Sequence, residues 1–248
     1  MLKFGRLAAV GIFSFMWFSP ADADFVPDKG TWEHYHFSLD QSRIRVSLIN
    51  DVVGKADFPD LLVPRAYVLF VSGAPPSTAG PLPPLLMSDH VKLLFIDGTG
   101  EPWSVAVTDL ARRERISLTE AAKRIRAEEI NLTIHSSKDP EASSKIVESL
   151  KGRTFLVPEG AFEGLPQHKT NSSSYPYFIG QANDEFFYAN CRGPDTHPIF
   201  FCKYWMNLTE GVVAEAMFVD FRLHGGREFA NRRLRFAREV ACRFLTRC

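Results

Sequence analysis

Hydrophobic and polar residues alternate in short runs along most of the chain, a pattern that predicts strands more often than helices. One such run contains Pro64, which cannot donate to a sheet ladder and therefore favours an edge position or a bulge. Residues 72–84 are rich in proline and predict an irregular loop. The predicted strands cover residues 31–39, 43–49, 61–71, 91–97, 103–107, 153–157, 176–180, 185–191, 199–207 and 212–222.

Helical patterns occur in three segments. Residues 117–130 begin with Ser117 and Glu120, the two members of a capping box, and place apolar side chains on one face. Residues 140–151 start with proline and are followed by glycine, and residues 227–245 form a long amphipathic segment. Together with the strands, these segments predict an α+β fold. We expect a mainly antiparallel sheet with two or three helices, ending in a β-hairpin, a further strand and the long C-terminal helix.

The first 23 residues have the pattern of a secretory signal peptide. Lys3 and Arg6 precede an apolar run over residues 7–18, and Ala21 and Ala23 occupy the small-residue positions of a cleavage site. As a helix this run rises only about 18 Å, which is short of the roughly 30 Å hydrocarbon core of a bilayer. We therefore expect cleavage after residue 23 rather than a membrane anchor.

The composition is that of a folded globular protein. Of the 248 residues, 45% are hydrophobic and 23% are charged, and 21 phenylalanines supply apolar surface for a core. After residue 23, no apolar run reaches the length of a membrane-spanning helix. The mature region, residues 24–248, could form one domain or two lobes, residues 24–135 and 136–248.

Four cysteines lie in the last quarter of the chain. Their spacing fits neither a zinc site, which uses closely spaced pairs, nor a C-x-x-C redox motif. An even number of cysteines in an exported protein indicates disulfides, and four cysteines allow three connectivities. We favour the sequential connectivity, Cys191 with Cys202 and Cys242 with Cys248.

The first of these pairs predicts an antiparallel hairpin with an apolar, cysteine-bearing face. Ala189 would lie opposite Tyr204, and Phe187 opposite Met206, on that face. For the second pair to close, the C-terminal helix must end near Arg243, because six helical residues span about 9 Å.

The C-terminal helix is strongly basic. Residues 227–247 contain seven arginines and two glutamates, whereas residues 24–225 contain 20 basic and 26 acidic side chains. Arg232, Arg235 and Arg238 are candidates for binding an anionic or acidic partner. The alternative is that the arginines are solvated or neutralise the acidic body of the protein.

No catalytic signature stands out. The motifs G-x-S-x-G, S-x-x-K and H-E-x-x-H are all absent. His34 and His36 have the i, i+2 spacing of some zinc ligands, but no third ligand is indicated, and strand alternation accounts for both. We therefore predict no metal and no cofactor, and we identify no catalytic residue.

These features favour an exported protein, periplasmic or secreted, that binds a partner and is not an enzyme. Its contact surface could include the proline-rich loop 72–84, the loop 192–198 or the arginine face. The expected partner is another envelope protein, as for accessory or toxin-neutralising proteins; an anionic membrane surface or glycan is less favoured, and nucleic acid is not expected. The alternative hypothesis is an envelope hydrolase with dispersed catalytic residues.

Overall fold

The computed structural model describes residues 35–50, 58–137, 156–170, 173–192 and 200–248. The predicted signal peptide, His34 and the predicted helix 140–151 lie outside the described residues. The helices found in the described ranges are α1 (Trp103–Glu114), α2 (Leu118–Ile125) and α3 (Gly226–Cys242). The strands found there are β1 (Arg43–Leu48), β2 (Asp60–Pro64), β3 (Val68–Val71), β4 (Leu85–Ser88), β5 (His90–Ile96), β6 (Glu129–Ser136), β7 (Leu156–Phe162), β8 (Leu165–Thr170), β9 (Ser173–Ile179), β10 (Tyr188–Arg192), β11 (Phe201–Thr209) and β12 (Val212–Val219).

Nine strands form one antiparallel sheet in the order β3-β5-β6-β12-β11-β10-β9-β8-β7. Because β6 pairs with β12, strands from both of the proposed lobes join in this sheet. A smaller sheet has the order β2-β1-β4, in which β1 is antiparallel to β2 and parallel to β4. The α+β fold with a mainly antiparallel sheet and a C-terminal helix, predicted from the sequence, is confirmed.

The two faces of the nine-stranded sheet have different surroundings. We call the face that packs against α3 and the smaller sheet the inner face, and the opposite one the outer face. The buried apolar residues of α3 recur at helical spacing and share one core with the inner face: Ala230, Leu234, Ala237, Val240 and Ala241. Removal of this apolar stripe from water is the main force that holds α3 on the sheet.

The hairpin of β10 and β11 has the predicted register. Cys191 lies opposite Cys202 and Ala189 opposite Tyr204, and all four side chains are fully buried on the inner face. The structure joins Cys191 to Cys202 in a disulfide. The bridge therefore belongs to the core and ties neighbouring strands of the sheet together.

One predicted pair in this hairpin is wrong. Phe187 does not face Met206, because β10 begins one residue later and Phe186 takes the inner position, with its ring 5.5 Å from that of Tyr204. The chain bends where it passes Gly180, at which a Cβ atom would lie 1.9 Å from the carbonyl oxygen of Phe186. Only glycine permits so close an approach, and the bend sends Phe187 to the outer face.

The segment predicted as a strand over residues 103–107 is instead the start of α1. Pro102 caps the N-terminus, a position where the missing N–H costs no hydrogen bond. The apolar residues Val107, Leu110 and Ala111 then follow at helical spacing and pack against α2. A short apolar run does not by itself distinguish a helix from a strand.

The helix predicted over residues 117–130 is too long. Ser117 caps α2 as expected, accepting a hydrogen bond from the backbone N–H of Glu120, but α2 ends at Ile125 and a short 3-10 turn follows. The chain then enters β6, a central strand that the sequence reading did not identify. Its side chains Ile130 and Ile134 alternate with polar residues, which is the period of a strand.

Two other strand predictions are wrong in part. The predicted strand 61–71 breaks at Pro64 into β2 and β3, which belong to different sheets. Residues 35–39, the described part of the predicted strand 31–39, have no regular secondary structure.

The C-terminus folds back onto the smaller sheet. α3 ends at Cys242, which forms a disulfide with Cys248, and Leu245 makes a bridge with Leu61 of β2. No helix within the described ranges is long and apolar enough to cross a membrane.

Candidate binding face

The outer face of the nine-stranded sheet carries aromatic and charged side chains side by side. Along β11, alternation sends Tyr204 inward and its neighbours Lys203 and Trp205 outward. Strand pairing continues such positions across the sheet. One row of directly opposed outer-face residues runs through Lys92, Thr133, Glu215, Trp205, Tyr188 and Ile179.

Three aromatic rings form a cluster on β9, β10 and β11. The ring centroids of Tyr177 and Tyr188 are 5.6 Å apart, and those of Tyr188 and Trp205 are 4.7 Å apart. Ile179 and Phe187 complete this aromatic cluster, to which no described helix contributes a side chain. Tyr188 is only 8% exposed, whereas Tyr177 and Trp205 are partly exposed. The cluster is thus a packed apolar surface whose outer rings reach solvent.

Charges of both signs lie beside the aromatic cluster. Lys203 and Glu215 form an ion pair with an N–O distance of 2.9 Å. Lys92 lies farther along the same face. Burial lowers the pKa of its ammonium group, the negative charge of Glu215 raises that pKa, and the positive charge of Lys203 lowers it further. These side chains interact with one another at the centre of the outer face.

A second line of rings crosses β3, β5 and β6. The centroid distances are 5.8 Å from Tyr35 to Phe70, 5.4 Å from Phe70 to His90, and 5.4 Å from His90 to His135. Burial lowers the pKa of His135, and the neighbouring His90 lowers it further. His135 is therefore neutral at physiological pH and adds a flat, uncharged ring to the face.

Arg192 is the last residue of β10 and lies on the outer face. Its guanidinium carbon lies 5.8 Å from the ring centroid of Tyr175 and 5.9 Å from that of Phe201, within reach of cation–π attraction. Its Nε is buried and has no hydrogen-bond partner among the described residues. The guanidinium group thus lies close to two aromatic rings.

The helix α1 covers one corner of the outer face. Trp103 of α1 and Leu94 of β5 line the same small cavity. Nearby, burial raises the pKa of Glu129 to about 7, while the charge of Arg126 opposes that rise. The aromatic cluster lies on the opposite side of β12 from this corner.

The arginines proposed as an anion-binding face are placed unequally. Arg235 and Arg238 both pair with Glu185, at N–O distances of 3.2 Å and 3.0 Å. Arg232 is exposed, packs over the ring of Phe229, and has no carboxylate partner among the described residues. Two of the three guanidinium groups are thus occupied within the protein, and the free anion-binding surface of the helix is smaller than its sequence suggests.

The sequence reading missed a buried arginine on the same helix. Arg233 is 3% exposed; it donates to Asp97 at 2.7 Å and to the carbonyl oxygen of Ala127 at 2.7 Å. Its guanidinium also lies over the rings of Phe218 and Phe229. The sequence did indicate that Arg233 is buried, because residue 233 falls on the apolar stripe of the helix, where an arginine needs hydrogen-bond or charge partners.

The described residues bring together no complete catalytic or metal-binding group. The cluster Cys191, Cys202 and Asp220 has suitable spacing for a metal, but its two sulfur atoms are bonded to each other. His90 Nδ1 lies 2.9 Å from Asp89 Oδ1, yet no hydroxyl or thiol within the described ranges is bonded to the other ring nitrogen. The hypothesis of a hydrolase gains no support from this pair.

Comparison with known proteins identifies no family. No family model and no curated protein matches the chain. Among solved structures, the chain is similar to the crystal structure of the Neisseria meningitidis iron-regulated outer membrane lipoprotein FrpD, at 8% sequence identity and a TM-score of 0.39. The match covers 86% of this chain and 99% of that one. Similarity at this level does not establish a shared fold, and no partner or activity is transferred from it.

Proposed function

We propose that this chain is an exported, non-enzymatic protein of the periplasm or the extracellular space that binds a protein partner on the outer face. The two disulfides fit an exported protein. The observation that carries the proposal is the aromatic cluster of Tyr177, Tyr188 and Trp205 on a sheet face that no described helix covers at that point. An accessory or toxin-neutralising role is the form of activity that we favour.

The chemistry of the face favours a protein over a glycan or a lipid surface. Tyrosine, tryptophan and arginine are enriched where proteins bind one another, and the outer face holds all three. Lys203 and Glu215 place opposite charges beside the rings, which suits a partner with mixed charges and not a uniformly anionic one. The rings also pack against each other, so their faces are less available for stacking on sugars.

The test is affinity capture of the mature chain from a periplasmic extract, followed by binding measurements with the captured protein. The informative variant exchanges the charges, Lys203→Glu with Glu215→Lys, because it keeps an internal ion pair while reversing the pattern that a partner meets. We expect it to weaken binding at least about tenfold with little change in stability. Trp205→Ala should weaken binding by a similar or larger factor.

Phe37→Ala is the matched control, since Phe37 is an exposed aromatic residue that contacts Trp103 and not the aromatic cluster. It should leave the affinity unchanged. Equal binding by the wild-type chain, the charge exchange and Trp205→Ala would contradict the proposed face. A chain that captures no partner and instead hydrolyses ester or glycan substrates would contradict the proposed function.

A further inference from the structure

We propose that the open edge of β4 accepts an extended, acidic segment of a partner protein as an additional strand of the smaller sheet. This site is separate from the outer face and does not depend on it. The argument rests on the backbone groups, the side chains and the charges of the three strands β2, β1 and β4.

The backbone of β4 is paired on one side only. The smaller sheet has the order β2-β1-β4, so β4 is a terminal strand in the described part of the chain. Arg45 donates its N–H to the carbonyl oxygen of Pro84, and Ile49 donates to that of Ser88. Because backbone groups alternate sides along a strand, those of Leu85 and Met87 point away from β1.

The opposite edge of the same sheet is closed. Leu62 of β2 donates its N–H to the carbonyl oxygen of Phe244 at 2.8 Å, and Thr246 donates to that of Asp60 at 2.9 Å. The residues after α3 thus cover β2. The fold therefore protects one edge of this sheet and leaves the other without such cover within the described residues.

The side chains on the open edge are apolar and exposed. Leu85 is 59% exposed and Met87 is 57% exposed, and their i, i+2 spacing places both on the same side of the strand. Proteins usually protect a free edge with lysine, proline or a bulge, and none of these occurs within β4. Such an edge offers hydrogen bonds to a second backbone and apolar contacts to its side chains.

The charge beside the edge selects an acidic segment. Arg45 lies directly opposite Leu85 in the pairing of β1 with β4, and it forms an ion pair with Asp60. Arg43, two residues earlier on the same strand face, is exposed and has no ion pair within the described ranges. An added strand that carries a carboxylate could pair with this guanidinium, whereas a basic strand would be repelled.

A second copy of the chain is the weaker candidate for this edge. Two β4 strands paired about a twofold axis would bring together two surfaces that both carry unpaired positive charge. Each copy would contribute only the four residues of β4 to the pairing, and strands this short bury little surface. An acidic segment of another protein satisfies the same hydrogen bonds and also the charge.

The test uses the full mature chain and two synthetic hexapeptides with blocked ends, one of alternating valine and glutamate and one of alternating valine and lysine. Binding is followed by amide hydrogen exchange and NMR signals. We expect the acidic peptide to slow exchange of the Leu85 and Met87 amides, and the basic peptide to bind at least about tenfold more weakly. An acidic peptide with N-methylated backbone should also lose binding, and this control requires no change to the protein.

Two variants test the edge from the protein side. Met87→Pro removes one outward N–H and should weaken binding of the acidic peptide, and Arg43→Glu should do so by charge. Leu62→Ala is the control, because Leu62 lies on the same sheet face at the closed edge, and it should leave binding unchanged.

Three results would overturn the proposal. The first is no exchange difference at millimolar acidic peptide, or equal binding of both peptides. The second is strong protection of the Leu85 and Met87 amides in the isolated monomer, which would show that the chain covers its own edge. The third is a dimer in sedimentation that Met87→Pro converts to a monomer, which would assign the edge to a second copy.

Discussion

The two faces of the nine-stranded sheet use the same strands for different purposes. On β11, Tyr204 and Met206 point into a core with no exposed surface, while Trp205 points outward and stays partly exposed. The inner face packs against α3 and contains the disulfide between Cys191 and Cys202, so its side chains hold the fold together. The outer face carries aromatic rings and charged side chains, and no described helix contributes a side chain to its aromatic cluster. The difference separates stability, which resides on the inner face, from binding, which we assign to the outer face.

The sharpest test of this division compares two methionines on neighbouring strands. Met206 of β11 is fully buried on the inner face, and Met217 of β12 is partly exposed on the outer face. Met206→Ala should lower the free energy of unfolding by about 2–5 kcal/mol because it leaves a cavity. Met217→Ala should cost no more than about 1 kcal/mol. Urea unfolding measures both, and equal losses would contradict the difference between the faces.

The inner-face disulfide should have the next largest effect. Replacing both Cys191 and Cys202 with alanine should lower the free energy of unfolding by about 3 kcal/mol, because the unfolded chain regains the freedom that the bridge removes. The matched control replaces Cys242 and Cys248, whose loop is shorter, and should cost less. A larger loss from the C-terminal pair would contradict this order. Non-reducing peptide mapping of the wild-type chain checks the connectivity.

The covered corner of the outer face should contribute a stability that falls as the pH rises. Because burial raises the pKa of Glu129 from 4.5 to about 7, the folded state binds its proton more tightly than the unfolded state. Its stabilising contribution is therefore full below pH 4.5 and is lost as the pH rises towards about 7. We expect Glu129→Gln to remove a decline of about 1–3 kcal/mol over that window.

The comparison of this variant with the wild-type chain isolates Glu129 from His135, which acts in the opposite direction. The lowered pKa of His135 means that its neutral form is favoured by folding, so its contribution increases as the pH rises to 6.5. Urea unfolding at a series of pH values measures the difference between the two chains. A difference that does not change between pH 4 and pH 8 would contradict the raised pKa of Glu129.

The smallest effects should come from the exposed side of α3. Arg238→Gln should cost about 0.5–1 kcal/mol, because Arg238 pairs with Glu185 and also donates to the carbonyl oxygen of Asn207. Arg232→Gln should change the free energy of unfolding by less than about 0.5 kcal/mol. Thermal unfolding of the two variants side by side checks this ranking. A greater loss from Arg232→Gln would show that this arginine has a structural partner.

Local patterns in the sequence were sufficient for the hairpin and the helix that contact each other in the core. The register of β10 with β11 from Ala189 to Cys191 followed from alternation around two cysteines, since a shift of one residue would turn the cysteine-bearing face away from the core. The amphipathic stripe of α3 likewise indicated its buried face. Both cases involve residues that are close in the chain or that repeat with a fixed period.

Local patterns failed where the identity of an element depends on distant neighbours. Residues 103–107 contain an apolar run that suits a strand, but they form the start of α1, whose apolar residues pack against α2. β6 was not recognised in the sequence because helix-forming residues directly precede it, although it pairs with β5 and β12 at the centre of the sheet. Propensity is weak compared with the hydrogen bonds and burial that such a central position supplies.

The sequence by itself therefore determined the fold class, the apolar stripe of α3 and the cysteine-bearing face of one hairpin. Only the tertiary structure decided that two of the candidate arginines form ion pairs with Glu185 and that the rings of Tyr177 and Trp205 lie in one cluster. It also decided that β4 is the edge strand of the smaller sheet. The physical reason is the distance along the sequence between the residues that interact. Side-chain alternation and helical periodicity are local properties of the chain, whereas ion pairs, strand order and the covering of a sheet face join residues far apart in the sequence.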